Sequence, residues 1–322
     1  MMKEFPKPRI FASRCLGFAK CRYNGVAIKN SVVDALEKHA EFVTVCPEVE
    51  IGLGVPREPI KIVNRKGRRK LVQPATGKDV SGKMNEFSEE YLGELGEVDG
   101  FILKGKSPSC GLFDVKEHTG VEGGTSKGRK FSGFFGKKVM GIYPDTPWED
   151  DGRLLSGEIR GSFFKKIFTL ARFRGVKKAE KMRGLVEFHD KHKLLLMAFG
   201  QKRMEKLGRI AANRRKEREG GVIKKYGEEL RKTLKSGITR KSAANVLMHA
   251  FGYFKKELGR DEKDFFLETL KNYRRGKMLI SAPRGLIWSW VLRFNQEYLK
   301  GQVFFEPYPK ELVMAENRVY MG

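Results

Sequence analysis

Apolar residues follow two rhythms along the chain. Up to about residue 175, short apolar runs alternate with amphipathic stretches. Residues 9–13 and 41–45 read as strands, with residues 30–40 as the helix between them, Val32, Val33 and Leu36 sharing its apolar face. Residues 60–63 and 70–72 flank a polar turn, 79–96 reads as a helix, 101–103 as a third core strand and 138–143 as a fourth, and a helix from 158 to 173 closes the region. Between residues 120 and 136 a run of glycines accompanies Lys127, Arg129 and Lys130, which predicts a mobile basic loop. The alternation predicts an α/β domain with a mostly parallel, Rossmann-like sheet.

Beyond residue 176 the spacing is helical throughout. In residues 243–258, Leu247, Ala250, Phe251, Phe254 and Leu258 share one face, opposite Lys255, Lys256 and Glu257. Similar stretches cover 185–208, 263–275 and 284–299, and no repeat is evident, so an irregular all-α bundle is expected. Because the preceding helical pattern stops at Gly175 before a basic connector, the domains are expected at residues 1–175 and 176–322.

Composition adds a partner class. The chain of 322 residues is 40% hydrophobic and 11% aromatic, which excludes a disordered basic tail, and it carries a net charge of +26. Residues 1–175 hold 31 basic and 22 acidic side chains, whereas residues 176–322 hold 34 and 17. The shorter part therefore carries most of the surplus, and a polyanion such as RNA is the expected partner. Lys202, Arg203, Arg209, Arg214, Arg215, Lys216 and Arg218 form the densest basic run, opposed only by Glu205, Glu217 and Glu219. No apolar run is long enough to span a membrane and the start is polar, so no membrane anchor or signal peptide is expected, and the cytoplasm is the expected compartment.

Four cysteines are too few for a disulfide framework in a chain of this length. Cys15, Cys46 and Cys110 each fall at or just beyond the end of an expected strand. In a parallel sheet those ends converge on one crevice, so three distant thiols can meet there. Three thiolates suit zinc with an open position or an iron–sulfur cluster with one iron not held by protein; ordinary buried cysteines would show the same spacing. Cys21, six residues after Cys15, is a possible fourth ligand or a spare thiol. His189 and His192 lie three apart on an expected helix without an evident third ligand, which favours packing or a phosphate-facing role.

The surroundings of the three cysteines carry a resemblance. Ser13-Arg14-Cys15-Leu16-Gly17 precedes Arg22-Tyr23-Asn24-Gly25, Cys46-Pro47-Glu48 precedes Pro56-Arg57, and Lys104 leads into Ser107-Pro108-Ser109-Cys110-Gly111. In this order the segments resemble the thiouracil desulfidase family. The second half, through the segment at 188–197, Asn245-Val-Leu-Met-His249 and Pro307-Tyr308-Pro309, resembles the helical domain fused to some members, an arrangement similar to the tRNA 4-thiouridine desulfidases.

The resemblance implies a [4Fe-4S] cluster held by Cys15, Cys46 and Cys110, its fourth iron open to substrate, with Glu48 and Ser107 as the catalytic acidic residue and serine. Ser109 is the alternative serine, and Cys21 has no ligand role under this mapping. Arg22, Tyr23, Arg57 and Ser109 are the expected substrate contacts, although Arg57 also suits a structural partner of Glu48. The implied reaction converts 4-thiouridine in tRNA to uridine without net redox change, with the basic run gripping tRNA. The alternatives are a desulfidase of free thiouracil or another thiolated nucleoside, and a metal-stabilised RNA-binding protein without chemistry.

Overall fold

The computed structural model describes residues 5–65, 67–119 and 125–313. The chain divides into two compact units, one running to Ala171 and resuming at Pro309, the other spanning Arg172–Tyr308.

The first unit opens with β1 (Arg9–Ser13), α1 (Ser31–Leu36), β2 (Glu41–Val45) and the short α2 (Pro47–Glu50). Next come β3 (Lys61–Arg65), β4 (Arg68–Gln73), β5 (Lys78–Asp79) and α3 (Ser81–Glu94). After them follow β6 (Gly100–Leu103), β7 (Val115–His118), β8 (Thr125–Phe131), α4 (Phe134–Ile142) and β9 (Trp148–Asp150), and then α5 (Gly157–Ala179) begins. Four strands form an all-parallel sheet in the order β2-β1-β6-β9. Its register pairs Ser13 with Val45 and Ala12 with Ile102, so the loops after β1, β2 and β6 leave from one edge.

Ile10, Phe11, Ala12, Phe101, Ile102 and Leu103 are fully buried, as expected of strands covered on both faces. Gly100 makes one covering possible: a Cβ there would stand 2.6 Å from the Ile167 side chain of α5.

Three expectations for this region are corrected. Residues 138–143 do not form a core strand; they lie mostly within α4, and β9 takes the edge position. Phe135 and Val139, four apart, are buried on one face of α4, and Phe135 stacks on Phe11 at 5.6 Å. A short apolar run does not distinguish helix from strand, and tertiary packing decides it. The expected loop at 120–136 is, from residue 125 onward, β8 and the start of α4, while residues 120–124 lie outside the described residues. The helical pattern does not stop at Gly175, because α5 continues to Ala179. A second sheet, ordered β5-β4-β3-β7-β8 and antiparallel except between β3 and β7, was not foreseen beyond its β3–β4 hairpin.

The second unit holds α6 (Met182–Phe199), α7 (Gln201–Ala211), α8 (Glu219–Lys235), α9 (Arg240–Phe251), α10 (Arg260–Arg274), α11 (Ser281–Arg293) and α12 (Glu297–Gly301). The single helix expected at 185–208 is interrupted at Gly200, which lies between α6 and α7. His192 is buried against Phe188, and His189 Nδ1 lies 3.0 Å from Tyr226 Oη, so both histidines are packing residues. Trp290 is buried among Phe251, Phe254 and Phe266. Among the described residues, no helix is long and apolar enough to cross a membrane.

Candidate active site

The three strand ends deliver three thiols to one place. Cys15 follows β1 by two residues, Cys46 directly follows β2 and caps α2, and Cys110 ends the turn that leaves β6. All three, and Cys21 with them, line one pocket of about 320 Å³. None is in a disulfide.

Burial, reinforced by the neighbouring Cys21 and Cys46 thiols, pushes Cys15 up to about 12. Burial and Cys46 likewise push Cys21 up to about 12. Burial also pushes Cys110 well above the usual thiol range, against the opposing hydrogen bond from Ser13. Such thiols stay protonated in water at neutral pH and become thiolates only when a cation takes the place of their protons. The donor set therefore fits a soft, cationic metal group. Among the described residues, no three His, Cys, Asp or Glu side chains are grouped closely enough to hold a single metal ion.

A carboxylate is fixed beside them. Glu48, in the first turn of α2, accepts from Arg57 through Nε at 3.0 Å and Nη2 at 2.8 Å, both on Oε2. Its Oε1 accepts from the Ser109 hydroxyl at 2.9 Å. Arg57 is only 4% exposed and also donates to the carbonyls of Cys21 and Gly54 and, at 3.9 Å, to Cys46 Sγ. Its N–H groups are thus committed, and it orients Glu48; it has no donor left for the substrate contact expected from the sequence. Ser109 is fully buried and does not line the pocket, so it too is a positioning residue for Glu48.

Ser107 does line the pocket. Its Oγ accepts from the backbone N–H groups of Ser109 at 3.2 Å and Cys110 at 3.1 Å, which shapes the Cys110 turn and leaves the O–H as the group available to donate. That turn is clamped by the start of α4: Gly133, Phe134 and Gly136 donate N–H bonds to the carbonyls of Gly111, Pro108 and Ser109. A Cβ on Gly133 would lie 2.4 Å from Ser109 O, and one on Gly136 2.5 Å from Gly111 O, so glycine permits the approach. Arg22 and Tyr23 lie at the pocket wall, with the guanidinium 5.3 Å from the Tyr23 ring centre and Tyr23 41% exposed.

Sequence reasoning missed two supports. Ser13, buried at the end of β1, bonds the Cys110 thiol and accepts from Lys104 N. Its position two residues before Cys15 was the available signal. Asp151 holds Lys104 Nζ at 2.8 Å and Gly105 N at 2.7 Å. It follows β9, the strand that sequence reasoning did not find.

The basic run lies on α7 and the turn after it, and its seven cations are all exposed. Arg209, Arg214 and Arg215 line one groove of about 810 Å³ with Lys206 and Lys225. Arg218 lines a different groove with Lys177, Lys224 and Arg231, while Lys202 and Arg203 stand at the start of α7 and Lys216 in the turn. Lys206 and Lys225 pair with Glu229 and Glu217. Among the described residues, Lys202, Arg209, Arg214, Arg215, Lys216 and Arg218 have no acidic partner within 4 Å, so their charge is available to a ligand.

Residues 10–151 match the family described as 2-thiouracil desulfurase. YbbK of Bacillus subtilis (strain 168) is 33% identical over 131 residues, covering 38% of this chain and 83% of YbbK. The chain belongs to the 2-thiouracil desulfurase family. Its family segment contains all four cysteines, Glu48, Arg57, Ser107 and Ser109. Residues 193–309, which contain the basic run, match a second family, DUF1722, described as of unknown function. YbgA of Escherichia coli (strain K12) is 26% identical over 156 residues, 48% of this chain and 92% of YbgA. A solved [4Fe-4S]-dependent thiouracil desulfidase, TudS, is 28% identical, with a TM-score of 0.36, over 46% of this chain and 93% of TudS.

Proposed function

We propose that this protein is a [4Fe-4S]-dependent desulfidase that converts 4-thiouridine in tRNA to uridine. The observation that carries the reading is the pocket, where thiols from three strand ends stand with a carboxylate whose oxygens are both held. Cys15, Cys46 and Cys110 would hold the cluster, three thiolates leaving one iron without a ligand from the mapped set. When bound, the cluster would supply a Lewis-acidic iron matched to a soft thiocarbonyl sulfur, polarising the C4–S bond, and an acceptor for the departing sulfide.

Glu48 takes a proton from the water that attacks C4. Arg57 and Ser109 fix the direction of its oxygens, and the Ser107 hydroxyl donates to the charge that develops on the ring. A C–O bond forms and the C–S bond breaks, with no change in electron count. Arg22 and Tyr23 offer a stacking edge for the base.

The unpaired cations of α7 and its turn support a phosphate-gripping role, which a base carried on tRNA requires and a free base does not. Such a substrate places the protein's work in the cytoplasm. Free thiouracil is the alternative substrate, since it would need the pocket but not the basic run.

The reading is tested by purifying the protein without oxygen, recording its visible spectrum and incubating it with bulk tRNA before nucleoside mass spectrometry. A brown protein that replaces 4-thiouridine by uridine and releases sulfide one for one is the expected result. A colourless protein that leaves 4-thiouridine untouched refutes it.

A further inference from the structure

We propose that one face of the second sheet, which begins at the rim of the thiol pocket, binds the phosphates of the nucleotides flanking the target base. The proposal rests on the reading of tRNA as the substrate, and it gives the catalytic unit an RNA contact of its own, apart from the basic run of α7.

Register and burial define the face. Along β7, Val115 and Glu117 are buried while Lys116 is exposed and His118 half-buried. β3 runs parallel to β7 with Ile62 beside Glu117 and Val63 beside His118, which sets Lys61 beside Lys116 on the face opposite the core residues Ile62 and Val115. Lys130 of β8 is the register partner of Lys116, so one rung carries lysines on three consecutive strands. Neighbouring strands lie about 4.8 Å apart. Arg68 and Lys70 of β4 belong to the same face, since their register partners are Arg65 and Val63.

The charge on this face is not balanced. Asp79 is taken by Lys70 at 3.0 Å, and Glu117 lies on the other face, where it accepts from Arg69 at 2.8 Å. Among the described residues, Lys61, Arg68 and Lys116 have no acidic partner within 4 Å. Like charges side by side on adjacent strands are unfavourable by themselves. Lysines often guard an exposed edge strand, but β3 is the middle strand of the sheet and β7 lies between β3 and β8. Val63 and Val72, the apolar residues of the face, are fully buried, so what it offers a partner is positive charge. A chain of phosphates is the ligand that relieves the repulsion.

The face starts where the chemistry is. Pro59 and Ile60 line the thiol pocket, and Lys61 follows directly. Lys106 also lines the pocket, and its backbone N–H donates to Oδ1 of Asp114, the residue before β7, at 2.9 Å. A base seated in the pocket therefore brings its neighbouring phosphates to the end of the sheet that carries Lys61 and Lys116.

The test uses the full-length protein with two substrates, a pentanucleotide carrying one central 4-thiouridine and free 4-thiouracil. It compares the wild type with a Lys61→Gln, Lys116→Gln variant and with a control of equal charge, Lys38→Gln, Lys83→Gln, two exposed lysines elsewhere in the first unit. Thermal melts confirm that each is folded. In the Lys61→Gln, Lys116→Gln variant, KM for the pentanucleotide should rise about 25-fold at 0.1 M salt and converge on the wild type near 1 M, because each of two lost contacts lowers the log–log salt slope by about 0.7. Its kcat and its kinetics with free 4-thiouracil should match the wild type, as should the control on both substrates. Photo-cross-linking with a pentanucleotide that has 5-iodouridine on both sides of a central uridine reads the contact without turnover, and should label peptides within 61–72 or 115–118.

An unchanged KM and salt slope in the Lys61→Gln, Lys116→Gln variant overturn the proposal. So does an equal loss in the control, or an equal loss on free 4-thiouracil. A wild-type protein that processes free 4-thiouracil but neither the pentanucleotide nor tRNA overturns instead the substrate reading. The cross-links then decide the sheet by themselves, their presence supporting its contact with RNA and their absence overturning it.

Discussion

The pocket and the basic face treat polar groups in opposite ways. Beside the thiols, Glu48 is held at both oxygens, Arg57 is buried with its donors committed, and Lys104 is paired with Asp151. On α7 and the turn that follows, six exposed cations stand without acidic partners among the described residues. Preorganised chemistry requires the first arrangement, because a group that must act within about 3 Å of a reacting atom cannot wander. A grip on phosphates is served by the second, since exposed charge reaches its partner through a soft, salt-sensitive attraction.

Substitutions break or sharpen that contrast in a definite order. Cys46→Ala should have the largest effect, abolishing both the visible spectrum and turnover while tRNA binding persists, as gel-shift and spectral measurements on one preparation would show. Glu48→Gln keeps the shape and the hydrogen-bonding oxygen but not the base. The cluster spectrum should remain while kcat falls by about 10² to 10⁴, the usual range for a general base.

Arg57→Met leaves Glu48, 15% exposed, without its cation, and should cost about 3 kcal/mol in denaturant unfolding. The smallest effect near neutrality belongs to His192 in the second unit. Burial, with Arg172 nearby, pushes its imidazole down to about 3, so the folded protein binds fewer protons than the unfolded chain. Stability should be fully present above the unfolded value of 6.5 and decline by about 1.4 kcal/mol per pH unit as pH falls toward 3. Melting curves of His192→Gln should show a flatter decline.

Much of the catalytic unit was legible where burial dictated sequence. β1 and β6 are buried apolar runs and β2 a half-buried one rich in β-branched residues, and their order along the chain sufficed to bring Cys15, Cys46 and Cys110 to one edge. β9, only Trp-Glu-Asp, has no strand pattern of its own, and it pairs because β6 offers an open edge. Its neighbour α4 is not recognised from sequence because the short apolar run at 138–143 suits a strand as well as a helix until Phe135, four residues before Val139, is seen stacked on Phe11.

Glu48 and Ser107 came from resemblance, and nothing in their local pattern distinguishes them from capping residues. The tasks of Arg57 and Ser109 depend on partners 9 and 61 residues away, which no periodicity encodes. The basic run was visible in composition, but its division between two grooves follows from the turn after Ala211 and the helix that starts at Glu219.

The most direct test of the division between pocket and grip is to measure kcat/KM for 4-thiouridine in tRNA and for free 4-thiouracil, in the wild type and in an Arg209→Glu, Arg214→Glu, Arg215→Glu variant. Each lost phosphate contact should remove about 0.9 from the slope of log affinity against log salt for tRNA. The expected result is a large loss on tRNA, diminishing at high salt, with the free base processed as before. Equal loss on both substrates would contradict the division.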